Sequence, residues 1–351
     1  MADHNAAARV RSGHSYFIWP GIVTVLGLAL GGAIGYAYTG TVAGFLEFLF
    51  ICSVLAVLEI SLSFDNAIVN ANKLKTMRPE WQRRFLTWGI LIAVFGMRIV
   101  FPLLVVCIAA RIGPIDAVVL AASEPQRYSA LMEEAHLPIT AFGGTFLMMV
   151  ALSFFCDADK DVHWFGWLER RLTGSGGLRS GEVLLTLVVI TVFSRLLGPD
   201  KADTFLYCAV LGLITFLLVE ALGTIIDKQS TTTAAAQGGL GAFLYLEVLD
   251  ASFSFDGVIG AFALSTNLFI IAIGLGIGAM YVRSMTIFLV DRGTLSEYRF
   301  LEHGAFYAIF LLAIIMFAQS IVHVPEVITG LIGAAIILFA LYRSLKEKRD
   351  R

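Results

Sequence analysis

The chain is 351 residues long, 58% hydrophobic and only 15% charged, with a formal net charge of -2. Soluble domains run at about 45–50% apolar and about 25% charged, so the composition excludes an ordinary soluble enzyme. The near-neutral balance gives no electrostatic case for a nucleic-acid partner.

Apolar windows of about 20 residues suffice to cross the roughly 30 Å hydrocarbon core of a bilayer. Such windows predict an all-α membrane protein with about ten spans, near 17–38, 44–71, 86–110, 138–156, 182–197, 204–226, 240–264, 268–290, 304–323 and 327–342. The division is a cytoplasmic N-terminal tail at 1–16, a first membrane half at 17–198, a second at 199–343 and a basic cytoplasmic tail at 344–351. Arg9 and Arg11 ahead of the first apolar stretch fit a signal peptide, but the stretch outruns a signal core and no A-x-A site follows. It is read as a span.

The longest connectors are 111–137 and 157–181, and Q-S-T-T-T-A-A-A-Q-G-G at 229–239 reads as a flexible link. With the N-terminus inside, nineteen Lys and Arg fall in inside segments, against Arg111, Arg127 and Lys201 outside. The basic-residue rule then puts both termini in the cytoplasm and the chain in the cell (inner) membrane.

Within the second span, residues 59–66 read E-I-S-L-S-F-D-N, and within the seventh, residues 250–257 read D-A-S-F-S-F-D-G. One register pairs Glu59 with Asp250, Ser61 with Ser252, Ser63 with Ser254 and Asp65 with Asp256. A carboxylate at the centre of a membrane helix costs about 2.5–3.5 kcal/mol on insertion scales, so duplicated acids there point to a task. In the following spans Arg98 of F-G-M-R-I-V-F matches Arg283 of A-M-Y-V-R-S-M, and G-E-V-L-L at 181–185 resembles P-E-V-I-T at 325–329. Span two runs outward to inward and span seven the reverse, so the chain is expected to be two inverted five-helix repeats. In that architecture the binding site lies at the midplane between the halves.

On a helix, residues three, four or seven apart share a face. Glu59, Ser63, Asn66 and Asn70 form one polar stripe, with Ser61 and Asp65 on a neighbouring one. Glu247, Asp250, Ser254 and Gly257 form the matching stripe, with Ser252 and Asp256 beside it, and Gly257 is expected to let the helix open locally. The expected metal ligands are Glu59, Asp65, Asn66, Asp250 and Asp256. Ser61, Ser63, Asn70, Glu247, Ser252, Ser254 and Gly257 are expected to support them, with Arg98 and Arg283 as counter-ions. An all-oxygen set suits hard or borderline cations such as manganese, calcium and magnesium.

Other candidates carry less. Cys52, Cys107, Cys156 and Cys208 stand singly in apolar stretches and make no zinc or disulfide pattern. Glu47, Glu220 and Glu326 read as boundary residues, and His163, His303 and His323 as isolated. D-A-D-K-D at 157–161 opens like a calcium loop but lacks the glycine at position six and has Leu168 at position twelve. The glycines of I-G-L-G-I-G-A-M at 273–280 read as close helix packing.

With E-I-S-L-S-F-D-N-A and S-F-D-G-V-I-G-A-F, the chain resembles the TerC family of tellurium-resistance-type integral membrane proteins from about residue 44 to its end. That family is associated with manganese export and metal homeostasis and has LysE-type exporters among its relatives. The resemblance implies that Glu59, Asp65, Asp250 and Asp256 serve an ion pathway, with Asn66 beside them. The second copy departs in having Asp250 for Glu and Gly257 for Asn. A tellurium oxyanion needs cationic ligands, which acidic motifs do not supply.

The chain is therefore expected to be a transporter and not an enzyme, exporting manganese or calcium in exchange for protons, with no tightly bound cofactor. Its expected partners are the lipid bilayer, the divalent cation and protons, and a homo-oligomer is left open. The alternatives are an exporter of small organic solutes with the acids as a proton relay, and an intramembrane aspartyl protease using Asp65 and Asp256. A membrane scaffold is a further alternative.

Overall fold

The structure, a computed structural model, describes residues 13–157, 180–229, 239–298, 300–322 and 324–350. Every regular element among the described residues is a helix. Helix α1 (Ile18–Thr39) ends at Gly40, whose φ of 66° is the left-handed conformation glycine takes without strain. Helix α2 (Val42–Leu62) starts at Thr41, whose hydroxyl accepts the Gly44 N–H at 3.1 Å. The two helices pack closely where small residues meet: a Cβ on Gly35 would run into Gly44 O.

The expected span at 44–71 is two helices. Ser63, at φ -98° and ψ 18°, separates α2 from α3 (Phe64–Lys75). The turn is a local distortion only: Ser63 N–H still donates to Glu59 O at 3.0 Å, and Ala67 N–H donates to Ser63 O at 3.1 Å. The third span is also composite: α4 (Pro79–Leu91) runs into a π-helical segment (Ile92–Val100) and then α5 (Phe101–Ala110). The connector at 111–137 contains two helices that the hydropathy reading did not identify, α6 (Pro114–Ser123) and α7 (Pro125–Glu134). Each opens on a proline, whose missing N–H costs nothing in a first turn.

The remaining helices are α8 (His136–Cys156), α9 (Ser180–Leu196), α10 (Pro199–Gln229), α11 (Leu240–Leu264), α12 (Leu268–Asp291), the single turn α13 (Thr294–Glu297), α14 (Leu301–Gln319) and α15 (Glu326–Asp350). Asn267 caps α12 by accepting the N–H groups of Phe269 and Ile270 at 3.0 and 3.3 Å. Helix α15 carries the basic residues of the expected tail up to Arg349 as helix.

Eight helical stretches among the described residues are long and apolar enough to cross a bilayer, and the protein is a polytopic membrane-helical protein. The other two expected spans are helical as well. Helix α9 has 17 residues, and α11 carries Glu247, Asp250 and Asp256 along its length. Much of the segment 157–181, and nearly all of 229–239, lies outside the described residues.

Helices α8, α12 and α14 are mostly buried, whereas α1, α9, α10 and α15 turn large apolar side chains outward, Trp19, Val25, Leu184 and Leu338 among them. Helix α12 packs on α1, α2, α3 and the π-helical segment. On their other side α2 and α3 meet α14 and α15, and α11 touches α2, α3, α8 and the π-helical segment. The first motif is thus held between α11–α12 and α14–α15, in the interior of the bundle.

Candidate functional site

The glycines of α12 set how deeply the first motif is buried. A Cβ on Gly274 would lie 2.6 Å from Leu55 Cβ, and one on Gly278 would run into the Glu59 side chain. The Gly-x-x-x-Gly spacing therefore brings α12 against α2 and leaves Glu59 its room. Glu59, with 4% of its surface exposed, pairs with Arg98, which is equally buried. Arg98 stands on the π-helical segment; its Nη1 donates to Ala93 O, five residues back, and its Nε donates to Leu275 O of α12 at 3.3 Å.

The second copy makes the matching pair. Arg283 of α12 lies 3.5 Å from Asp250 of α11, both buried, and its guanidinium stacks 3.9 Å from the centre of the Phe85 ring. The two copies then meet directly. Asn66 and Asn70 of α3 donate through their side-chain amides to Asp250 Oδ1, at 2.7 and 3.1 Å. Asp250 therefore accepts two amides from the other copy on one oxygen and faces a guanidinium with the other. A cavity of about 20 Å³ lies among Glu59, Asn66, Asn70, Arg98, Asp250, Arg283 and Thr286, room for about one water-sized species.

Around this cavity the polar groups are only partly satisfied. Asn66 Oδ1, Asn70 Oδ1, Arg283 Nη1 and both carboxylate oxygens of Glu247 are buried without a hydrogen-bond partner among the described residues. Glu247 and Arg283 share the space that Gly89 leaves, where a Cβ would lie 2.6 Å from Glu247 Oε1 and 2.8 Å from Arg283 Nη2. Buried polar atoms without partners cost about 1–3 kcal/mol each, so their concentration in one place calls for an explanation.

Asp65 sits apart from this centre. At the second position of α3 its Oδ1 accepts the Asn66 N–H at 2.8 Å, where a carboxylate suits the positive end of the helix. It borders a second cavity, of about 40 Å³, together with Ser61, Ser63, Gly257, Thr329 and Glu59. Glu59 lines both cavities. Ser63, at the turn, lines this second cavity beside Asp65, whereas Asn66 and Asn70 line the first.

The remaining expected residues are placed as follows. Ser61 and Ser252 return their hydroxyls to Val57 O and Val248 O one turn back, at 2.8 and 2.9 Å. Ser254 is buried. Helix α11 runs unbroken through Gly257, so the local opening expected there is not found; the first copy has a turn at Ser63 instead, across which the backbone hydrogen bonds are kept. A Cβ on Gly257 would lie 3.4 Å from Glu59 Oε2, at the edge of ordinary contact. Asp256 lies on α11, with its side chain outside the described residues, as are His163 and most of 157–161.

The acids do not meet as one shell. Among the described residues no group of three or more His, Cys, Asp and Glu is placed to hold a metal ion. The polar centre is a mixed set of carboxylate, amide and guanidinium, and sequence reasoning missed Gly89, Gly278, Phe85 and Thr286 as parts of it, and Thr329 at the second cavity. Gly278 had a signal in its glycine spacing, read only as packing. Thr329 ends the P-E-V-I-T segment matched to 181–185 but was not singled out.

A family model described as a protein of unknown function, DUF475, matches residues 64–351. No curated protein and no solved structure matches the chain. The match takes in α3 and everything after it, including both arginines and the whole second copy, and the chain belongs to the DUF475 family.

Proposed function

We propose that this DUF475 member is a membrane transporter that moves a divalent cation, manganese or calcium, through the centre where its two acidic motifs meet. The observation that carries this reading is Asp250 bound by Asn66 and Asn70 of the other copy, beside buried oxygens of Asn66, Asn70 and Glu247 that lack partners. Carboxylate and amide oxygens without sulfur or imidazole are the donors that hard and borderline cations prefer.

The arginines fit a carrier cycle. Bare carboxylates in a low-dielectric interior are costly, so Glu59 and Asp250 hold guanidiniums when no cation is bound. An entering divalent ion displaces Arg98 and Arg283 from the acids, and its departure lets them re-pair. The matched pairs Glu59–Arg98 and Asp250–Arg283 support a reading of the halves as inverted repeats that rock about this centre. The TerC resemblance favours manganese as cargo, leaving the cytoplasm in exchange for protons.

The test is flux of Mn²⁺, Ca²⁺, Mg²⁺ and Zn²⁺ into proteoliposomes, with and without a proton gradient. Mn²⁺ or Ca²⁺ flux is expected from the wild type, and Asp250→Asn should lower it by about tenfold or more, the scale set by loss of an ordering partner at a metal site. Wild-type protein that moves none of the four ions would end the reading. A second reading rests on Arg283 Nη1, buried without a partner beside the cavity: a small solute bearing a carboxylate would bind it, with the acids relaying protons. Proton-coupled flux of an amino acid without metal flux would select that reading.

A further inference from the structure

We propose that the cavity bordered by Asp65 is a second cation subsite, with the Thr329 hydroxyl of α15 as a ligand, and that Glu59 hands the ion between it and the central cluster. The proposal rests on the cation reading above.

Thr329 is 7% exposed, lines this cavity and has no hydrogen-bond partner for Oγ1 among the described residues. Buried threonines on helices ordinarily return the hydroxyl to the carbonyl one turn back. Thr145 and Thr286 do so here, at 2.8 and 3.0 Å. At Thr329 that carbonyl belongs to Pro325 and already accepts the N–H groups of Ile328 and Thr329, at 3.0 and 3.4 Å. A threonine kept in that state, on a wall shared with a carboxylate, has a hydroxyl available to an ion.

Asp65 differs from the central acids in the same direction. Glu59 and Asp250 each hold an arginine, whereas Asp65 makes no ion pair among the described residues. A cation reaches Asp65 without first displacing a guanidinium. Glu59 presents one oxygen to each side: Oε1 meets Arg98 in the central cluster, and Oε2 is the atom that a Cβ on Gly257, a residue of the second cavity, would meet, at 3.4 Å. An ion held by Asp65 and Thr329 therefore has Glu59 as its next ligand. Transfer proceeds by exchange of oxygen ligands, with Arg98 released as the ion takes Glu59.

The experiment measures Mn²⁺ binding to the full-length purified protein by electron paramagnetic resonance, paired with Mn²⁺ flux in proteoliposomes. The wild type should bind Mn²⁺ at two classes of site. Thr329→Val, close in shape but without the hydroxyl, should weaken one class about tenfold and slow flux, while Thr329→Ser retains both classes. Asp250→Asn should weaken the other class. Two unchanged classes in Thr329→Val overturn the subsite and leave the transport reading intact. Equal loss in Thr329→Val and Thr329→Ser also overturns it, because packing and not the hydroxyl is then responsible. Absence of Mn²⁺ binding and flux in the wild type removes the manganese reading and the subsite together.

Discussion

Each of the two buried arginines has a different set of supports, and the difference sets what its loss does. Arg98 is tied to Glu59 and to two backbone carbonyls, so its removal leaves Glu59 buried without its counter-charge and takes away a contact between the π-helical segment and α12. Arg283 faces Asp250 and stacks on Phe85, and Asp250 keeps the amides of Asn66 and Asn70 without it. Breaking a buried ion pair from one side costs about 3–5 kcal/mol because a charge is left behind, whereas removing both charges is often close to neutral. Arg283→Met is therefore expected to destabilise the protein by about that amount in detergent unfolding. Arg283→Met combined with Asp250→Asn should recover most of the loss, since an asparagine carbonyl still accepts the two amides. Equal destabilisation in the single and the double variant would show that the stack on Phe85 dominates over the charge.

At the scale of elements, the packing of α12 on α2 makes a prediction with its control in the same helix. A methyl on Gly278 overlaps the Glu59 side chain, while a methyl on Gly276 meets Val94 at 3.5 Å, an ordinary contact. Overpacking a tight interface costs about 1–3 kcal/mol. Gly278→Ala should lose stability on that scale and flux with it, and Gly276→Ala should behave as the wild type in thermal unfolding. These helices were largely legible in the sequence, because apolar runs of bilayer length have few alternatives to helix in lipid. The duplicated acids and both arginines were legible too, since charge inside such runs is costly and stands out. The turn at Ser63 and the π-helical segment were not. Both are small departures in backbone hydrogen bonding that no apolar pattern records, and F-G-M-R-I-V-F reads as ordinary helix. The π-helical segment nonetheless bears on how Arg98 is held, since its Nη1 donates to Ala93 O within that segment. Helices α6 and α7 were missed because each is only ten residues long, below the length of a span.

For the whole molecule, the matched ion pairs acquire their meaning from the direction in which each copy crosses the membrane. Inversion requires that both α9 and α11 cross. Helix α9, at 17 residues, spans about 26 Å at 1.5 Å per residue, close to the hydrocarbon thickness. Helix α11 has ample length but three acids, and two of them, Glu247 and Asp250, are buried by neighbouring helices rather than turned to lipid. Charge buried within a bundle is compatible with crossing, so length and burial both favour ten crossings. The parity of the chain does not test this, because eight and ten crossings alike leave the termini on one side. Two connectors do. With ten crossings and a cytoplasmic N-terminus, Gly198 between α9 and α10 faces outward and Thr232, in the link between α10 and α11, faces inward. With eight crossings, omitting α9 and α11, both assignments reverse. Gly198→Cys and Thr232→Cys, each in a background with the four native cysteines replaced, should therefore label with a membrane-impermeant maleimide from outside and from inside respectively. The reverse pattern would mean that α11, which carries the second copy, does not cross, and the pairing of Glu59–Arg98 with Asp250–Arg283 would then be a repeat of sequence without the inversion that the proposed rocking of two halves requires.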